Sequence, residues 1–315
     1  MYIGESMVTS LPGKESQISI LVNPNKPRAI LQDARQLYRE SYPKAHFKHI
    51  DKVFHLTKLL YEGHFPGYLA CAVDYHNFVH SVAVFAATSR LIDGCELAGL
   101  DLGHVMAGDA LIAAMLHDTG YIRTADDTRG TGAQYTKIHV DRSADFVLRE
   151  REAFGLSTES AARISRIILG TDLGRSWDSL SFDSEKERIA AEILASADLL
   201  GQMSDRAYLE KLLFLYYEFR EAGIGGYDSA FDILKKTAGF YESTQNRLDF
   251  TLGRVSGQTK QHFQVRYGFT RDLYREAISS QMNYLGAIIA DDNTNFRTKL
   301  KRMDLAAIES QMELH

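Results

Sequence analysis

Along most of this chain, apolar residues recur every three or four positions, the spacing that buries one face of an α-helix. The spacing begins after Pro27, with a set that consists of Ile30, Leu31, Ala34 and Leu37. It continues in the segments 53–60, 79–91, 105–116, 136–150, 159–169, 185–200, 206–222, 229–248 and 270–289. We find no internal repeat and no run that alternates as a strand does. With only 5 prolines in 315 residues, the pattern predicts an all-α fold, a bundle of long helices.

The helical pattern divides the chain into three parts. Residues 1–26 form a turn-rich N-terminal arm, residues 27–290 form one domain without a clear linker, and residues 291–315 form a charged, amphipathic helical tail. The arm has one short apolar run, from Ile18 to Val22, which predicts a single strand or a loose segment packed on the body. A contact of the arm in a homodimer stays open. Within the domain, Asp205 is the predicted N-cap of the helix over 206–222.

Charge and cysteine content narrow the class of protein. A net charge of −5 and a pI of about 6.1, with no basic block, argue against nucleic acid as a partner. The two cysteines, Cys71 and Cys95, suit a reducing compartment rather than a disulfide framework. We recognise no signal peptide and no apolar run of membrane-spanning length. We therefore expect a cytoplasmic protein that does not bind a membrane.

The candidate chemistry centres on the apolar run LIAAMLHDTGY, which ends in His117, Asp118 and Tyr121. Burying an imidazole and a carboxylate together is costly unless they pair or hold a metal. A lone His-Asp pair is common by chance, and a hydrogen-bonded histidine at a helix end is the simpler explanation. Two further segments change this assessment: Tyr75-His76-Asn77-Phe78-Val79-His80 upstream and Ser196-Ala197-Asp198 downstream. The loop 122–135 is expected to lie over the same site.

These segments supply a mixed set of nitrogen and oxygen ligands. His76 and His80 are four positions apart, so one helix through both would place their imidazoles on one face. His80, His117, Asp118 and Asp198 offer two imidazoles and two carboxylates without thiolates, which suits zinc, iron(II) or manganese in a catalytic site. Asp118 or Asp198 would bridge to a second metal, and His76 would donate a proton to the leaving-group oxygen of a phosphate ester.

Four motifs in this order resemble those of a known superfamily. His80, His117-Asp118 and Asp198 resemble the H…HD…D signature of the HD superfamily of metal-dependent phosphohydrolases. The segment from Tyr75 to His80 resembles the YHNxxH motif of class I 3′,5′-cyclic nucleotide phosphodiesterases. Thr171-Asp172-Leu173 resembles their Thr-Asp-Met motif, and Ala197-Asp198 resembles their Ala-Asp motif. The resemblance covers the middle of the chain and is that of a bacterial HD-domain protein.

The resemblance implies an HD-type helical bundle that hydrolyses a phosphodiester, such as a 3′,5′-cyclic nucleotide, through a metal-activated water. It implies two divalent metal ions, chosen from Zn, Fe, Mn and Mg. The implied ligands of the first metal are His80, His117, Asp118 and Asp198. Asp118 would also bridge to the second metal, and His139 would line the second-metal side. By the same resemblance His76 is the proton donor, and Tyr75, Asn77 and Thr171 lie next to the ligands or the substrate, with Thr171 holding a water.

The chain departs from the family pattern in several places, and its span from Asp118 to Asp198 is shorter than in the animal enzymes. Four residues after the metal His, the cyclic nucleotide enzymes have a His and other HD phosphohydrolases often have a Lys, whereas this chain has Tyr121. Leu173 is followed by Gly-Arg-Ser where the family's motif continues to a His. The glutamine that holds the purine has three candidates outside any motif: Gln258, Gln261 and Gln264.

Three functions therefore stay open. The first is a phosphodiesterase of a cyclic nucleotide. The second is an HD phosphohydrolase of another nucleotide or phosphate ester, which Tyr121 keeps open although the HDxxED motif of alarmone hydrolases and the GYP motif of cyclic-di-GMP enzymes are absent. The third is a non-catalytic HD signalling scaffold, although such scaffolds usually lose ligands. At the level of single residues, His139 is equally explained as a polar helix residue, and Thr171 as a helix cap.

Overall fold

The computed structural model of the protein describes residues 17–291, 295–305 and 310. Over these residues the fold is all-α, which confirms the predicted fold class, and extended backbone pairs only at one bridge between Tyr68 and Thr124. The α-helices are α1 (Ile18–Leu21), α2 (Pro27–Ser41), α3 (Lys48–Tyr61), α4 (Phe78–Leu97), α5 (His104–Leu116), α6 (His139–Phe154), α7 (Thr158–Leu169), α8 (Glu185–Met203), α9 (Tyr208–Glu221), α10 (Ala230–Asn246), α11 (Gln258–Tyr267) and α12 (Leu273–Ile289). Short 3₁₀ turns and one π-helical turn, Arg247–Thr251, lie between them.

Two helices form the centre of the bundle. Val84 and Phe85 in α4, and Ala113 and Met115 in α5, are completely buried. A helix that is apolar on all sides has to be enclosed by other helices. α4 packs against α2, α5, α8 and α11, and α5 also packs against α3 and α7. Polar side chains at the ends of α4 and α5 are therefore delivered to the interior of the protein.

The contact between α4 and α11 depends on Gly94. A Cβ atom at this position would lie 2.0 Å from the carbonyl oxygen of Gln258, so no larger residue fits without moving the backbone. One residue earlier, Asp93 binds two side chains of α11: its carboxylate lies 2.7 Å from His262 Nδ1 and 2.5 Å from Arg266 Nη2. This buried ion pair fixes how α11 lies on the central helix.

The start of α4 corrects one prediction about the histidines. Asn77 is the N-cap, and its side-chain oxygen accepts the backbone N–H groups of Val79 at 3.0 Å and His80 at 3.2 Å. This bond satisfies two donors that a helix start leaves free. The helix therefore begins at Phe78, and His76 lies before it rather than one helical turn from His80 on the same face.

The other site residues come from helix ends and from α8. α5 ends at Leu116, so His117 and Asp118 follow its last turn directly, before a 3₁₀ turn over Thr119–Tyr121. Asp198 lies in the second half of α8, which packs against both α4 and α5. Three helices that pack against one another thus bring the four predicted ligands to one place.

Three further predictions of local structure were wrong. Residues Ile18–Leu21 form a short helix and not a strand. Asp205 does not cap α9, whose N-cap position is Ala207; its carboxylate instead accepts the backbone N–H of Ala207 and binds Lys211. The helix α11 was missed because its pattern is polar: only Thr259, His262 and Phe263 of its ten residues are buried.

The ends of the chain are only partly described. Residues 1–16 of the predicted arm, and 292–294, 306–309 and 311–315 of the predicted helical tail, lie outside the described residues. In the described part of the predicted helical tail, Phe296–Thr298 form a 3₁₀ turn, 299–304 form no helix, and 305 and 310 are helical. Among the described helices, none combines the length and the apolar composition that a membrane span needs.

Candidate metal centre

Four side chains converge at the meeting point of α4, α5 and α8. The Nε2 atoms of His80 and His117 are 3.3 Å apart, and Asp118 Oδ2 lies 3.3 Å from the first and 3.2 Å from the second. Asp198 Oδ1 lies 3.2 Å from His80 Nε2 and 3.8 Å from His117 Nε2. His80, His117 and Asp118 are buried, whereas the Asp198 side chain is 19% exposed. The cluster therefore meets solvent on the Asp198 side.

The spacing and the bonding of these atoms fit a metal ion. Ligands bound at about 2.0–2.1 Å in tetrahedral geometry lie about 3.3 Å from one another. The ligand atoms of His80, His117 and Asp118 are 3.2–3.3 Å apart and match this value, whereas Asp198 Oδ1 lies 3.8 Å from His117 Nε2 and outside the compact group of three. Asp118 Oδ2 is buried and has no hydrogen-bond partner within the described residues. A buried carboxylate oxygen without a partner is costly, and either a proton on the neighbouring His117 imidazole or a bound metal ion would remove that cost. His80, His117 and Asp118 each direct one ligand atom into a region less than 4.8 Å across.

The orientation of His117 is fixed from outside the cluster. Its Nδ1–H donates to the carbonyl oxygen of Ala114 at 2.9 Å. Because a carbonyl oxygen only accepts, the proton of neutral His117 stays on Nδ1, and Nε2 presents its lone pair to the cluster. Bonds of this kind hold metal-binding histidines in the correct tautomer.

The electrostatics of the cluster favour a positive charge. Burial opposes ionisation of His117, but Asp118 and Asp198 outweigh burial and raise the pKa of His117 to about 9. Burial likewise opposes the charge of Asp118, yet His117 and its neighbours hold the pKa of Asp118 well below its usual range. The two carboxylates therefore remain ionised. Their negative charges stabilise a cation between them, either a protonated imidazole or a metal ion.

His76 is held by a carboxylate that the sequence analysis did not identify. Its Nδ1 lies 2.6 Å from Oε2 of Glu218 in α9, and Oε1 of Glu218 accepts the backbone N–H of Tyr75 at 2.7 Å. Burial opposes protonation of His76, but Glu218 raises its pKa above the ordinary value. The imidazole of His76 lies 5.8 Å from that of His80, centroid to centroid. In the sequence, Glu218 is the one acidic residue within the aromatic run 214–219. We interpreted that run as a core segment, so Glu218 was not singled out.

His139 and Tyr121 lie on the other side of Asp118. His139 Nδ1–H donates to the carbonyl oxygen of Thr136 at 2.7 Å, so Nε2 is left to face Asp118 Oδ1 at 3.6 Å. The ring of Tyr121 stacks on His139 and on His76, with centroid distances of 4.5 Å in both pairs. Its hydroxyl is buried and has no hydrogen-bond partner among the described residues. Tyr121 thus supports both imidazoles through ring contacts.

The loop 122–135 covers Tyr121. Ala133 and Val73 pack on its ring, and a Cβ atom at Gly132, whose φ is 113°, would lie 2.2 Å from the Tyr121 carbonyl oxygen. Glu221 at the end of α9 holds the loop by accepting the backbone N–H of Thr131 at 2.8 Å. The loop therefore closes the side of the cluster that carries Tyr121.

The remaining predicted site residues make local structural bonds. The Tyr75 hydroxyl donates to Gln202 Oε1 at 2.8 Å, and Asn77 caps α4. The Thr171 hydroxyl donates to the carbonyl oxygen of Ile168 at 2.9 Å, at the end of α7. Their expected contacts with a substrate or a water stay predictions. The three candidate glutamines, Gln258, Gln261 and Gln264, lie on α11, which packs against α4.

Comparison with known proteins gives one match. A family model described as Npun_R2479-like matches residues 124–252, which is less than half of the chain. The matched part contains His139, Asp198 and Glu218 but not His80 or the His117-Asp118 pair. No curated protein and no solved structure matches the chain. The family description names no activity, so the function has to be inferred from the chemistry of the cluster.

Proposed function

We propose that this protein is a metal-dependent phosphohydrolase that cleaves a phosphodiester such as a 3′,5′-cyclic nucleotide. The observation that carries the proposal is the convergence of two imidazole nitrogens and two carboxylate oxygens, with Asp118 Oδ2 left unpaired inside it. The sequence motifs around His80, His117-Asp118 and Asp198, which resemble the HD signature, support the same conclusion.

His80, His117, Asp118 and Asp198 would hold the metal. Two imidazole nitrogens among the donors favour zinc, iron(II) or manganese over magnesium, which prefers oxygen ligands. A metal bound here supplies a Lewis acid and lowers the pKa of a bound water towards neutrality. Because the Asp198 side chain is 19% exposed, we infer that a phosphate ester would approach the cluster from the Asp198 side.

We infer that His76 would act as the general acid. A carboxylate only accepts hydrogen bonds, so the bond to Glu218 assigns a proton to Nδ1 of His76 and leaves Nε2 for a second partner. Glu218 also stabilises the protonated imidazole. A protonated His76 near the metal ligands would give its Nε2 proton to the leaving-group oxygen when the P–O bond breaks.

The packing of Tyr121 favours a second candidate function. On the side of Asp118 Oδ1, the described residues supply one further metal-ligand atom, Nε2 of His139, and the ring of Tyr121 fills the adjoining space. A centre that holds one metal instead of two would suit an HD phosphohydrolase of another nucleotide or phosphate ester. The two candidates therefore differ in the number of metals at full activity.

The test is a metal-dependent hydrolysis assay on chelator-treated protein. Zinc, iron(II) or manganese is titrated back, and cyclic AMP, cyclic GMP and a panel of phosphate monoesters are offered as substrates. We expect turnover of a cyclic nucleotide that returns with metal, is absent in His117→Ala and is normal in His64→Ala, whose side chain is 68% exposed. Turnover of monoesters alone with one metal would support the second candidate. A metal-loaded protein that hydrolyses no ester would contradict both candidates and leave the scaffold alternative.

A further inference from the structure

A second cavity lies outside the metal centre. It has a volume of about 510 Å³ and is bounded by residues 18–25, the end of α8, the turn 204–207 and residues 301 and 302. This volume is within the range of small-molecule sites, about 300–1,000 Å³. Ala83 of α4 and Tyr274 of α12 complete its wall. No residue of the predicted ligand set lines it.

The cavity lies against the back of the metal centre. Ala83 and Gly201 both line it, three residues after His80 and three residues after Asp198 respectively. The two helices touch here, because a Cβ atom at Gly201 would lie 3.2 Å from the Ala83 carbonyl oxygen. A void of about 10 Å³, large enough for about one water, shares these two residues and reaches His80. One layer of side chains therefore separates the two sites.

The rest of the wall offers neutral polar groups. Ser19, Asn23, Asn25 and Ser204 line the cavity and carry hydroxyl or amide side chains. Such groups both donate and accept hydrogen bonds, so they suit the hydroxyl groups of a small polar ligand.

The charged residues of the wall leave a net positive charge. Arg206, Lys301 and Arg302 line the cavity, and the one acid among its described lining residues, Asp205, is paired with Lys211. The guanidinium of Arg302 donates to Gln281 Oε1 at 3.0 Å and to the backbone carbonyl of residue 206, both of them neutral acceptors. Its positive charge is therefore not cancelled by these bonds, and an anion would be attracted.

We propose that this cavity binds a small organic phosphate. The phosphate group would contact the basic side chains of Arg206, Lys301 and Arg302, and a hydroxylated body would contact the polar wall at Asn23, Asn25 and Ser204. The proposal does not rest on the proposed function, because the ligand would contact no residue of the metal centre.

The test is isothermal titration calorimetry of the full chain with glucose 6-phosphate and with inorganic phosphate. We expect saturable binding of glucose 6-phosphate, a Kd at least about tenfold higher in Arg206→Ala/Lys301→Ala, and an unchanged Kd in Asp118→Ala. The matched control is Arg39→Ala/Lys44→Ala, which removes two positive charges from another basic hollow of the surface.

Three results would overturn the proposal. An unchanged Kd in Arg206→Ala/Lys301→Ala, with the fold confirmed by thermal unfolding, would place the ligand elsewhere. Loss of binding in Asp118→Ala would assign the ligand to the metal centre. Equal affinity for inorganic phosphate and glucose 6-phosphate, or no binding of either, would refute a site for an organic phosphate.

Discussion

Replacing Glu218 by Gln tests the role assigned to His76. The substitution keeps an acceptor for the backbone N–H of Tyr75, which bonds Oε1 at 2.7 Å, but removes the negative charge 2.6 Å from His76 Nδ1. The protonated imidazole then loses its counter-charge, whereas the four candidate metal ligands keep their positions. We expect slower proton donation with unchanged metal content.

The magnitude follows from the bond that is weakened. A hydrogen bond to a charged group contributes about 1.5–3 kcal/mol, and each 1.36 kcal/mol is a factor of ten in rate. Because Gln still offers a neutral acceptor, we expect kcat to fall about tenfold, towards the lower end of that range. His76→Ala removes the donor itself and should cost about 10²–10⁴ in rate.

The assay compares two leaving groups. The ribose oxygen released from a cyclic nucleotide needs a proton, whereas nitrophenolate released from bis(p-nitrophenyl) phosphate leaves as a stable anion. Glu218→Gln should therefore slow the first reaction about tenfold and the second hardly at all. The matched control is Glu221→Gln, one helical turn later in α9, which bonds the loop at Thr131 and not His76. An equal loss with both substrates, or a loss of metal, would refute the role of His76 as acid.

Three further predictions concern stability. Asn77→Ala removes the N-cap of α4 and should lower the free energy of unfolding in urea by about 1 kcal/mol. It should also weaken zinc binding, and an unchanged zinc affinity would mean that the cap does not position His80. Gly94→Ala places a Cβ 2.0 Å from the Gln258 carbonyl oxygen and should cost about 1–3 kcal/mol, whereas Gly239→Ala, with no atom within 4 Å, should be neutral or stabilising. Burial raises the pKa of Glu192 from 4.5 to about 7. Between these pH values the folded protein keeps a proton on Glu192 that the unfolded chain has lost, so the free energy of unfolding falls as the pH rises from 4.5 to 7. Glu192→Gln should therefore stabilise the protein at pH 8, by at most about 3 kcal/mol, and be neutral at pH 4; the same effect at both pH values would contradict this.

The sequence predicted the long helices because their apolar spacing is a local property. The helix predicted over 105–116 is α5, with one residue more at its start. Its residues from Ala107 to Leu116 are all buried, which is why its apolar run was easy to recognise. The start of α4 was misplaced because the apolar pattern does not reveal that the Asn77 side chain, rather than a preceding turn of helix, satisfies the first N–H groups. The helix α11 was not predicted because its buried face includes the polar residue His262. The partner that makes this burial possible, Asp93, is 169 residues away in the sequence.

The candidate metal ligands could be predicted from the sequence, but the residues that hold the neighbouring histidines in place could not. His80, His117, Asp118 and Asp198 could be singled out because their residue types already define a ligand set. Glu218 lies 142 residues from His76, and no spacing rule connects them. The ring contacts of Tyr121 and the unpaired Oδ2 of Asp118 likewise follow from packing between helices that are distant in sequence.

The most direct test of the central claim is the metal content of protein purified without chelator, measured by inductively coupled plasma mass spectrometry. We expect at least one zinc, iron or manganese ion per wild-type chain and little or none in Asp118→Ala. Asp126→Ala, at an exposed position eight residues later, should keep the metal. A wild-type chain without metal after incubation with all three ions, or an Asp118→Ala chain that retains it, would contradict the assignment of these four side chains as a metal centre.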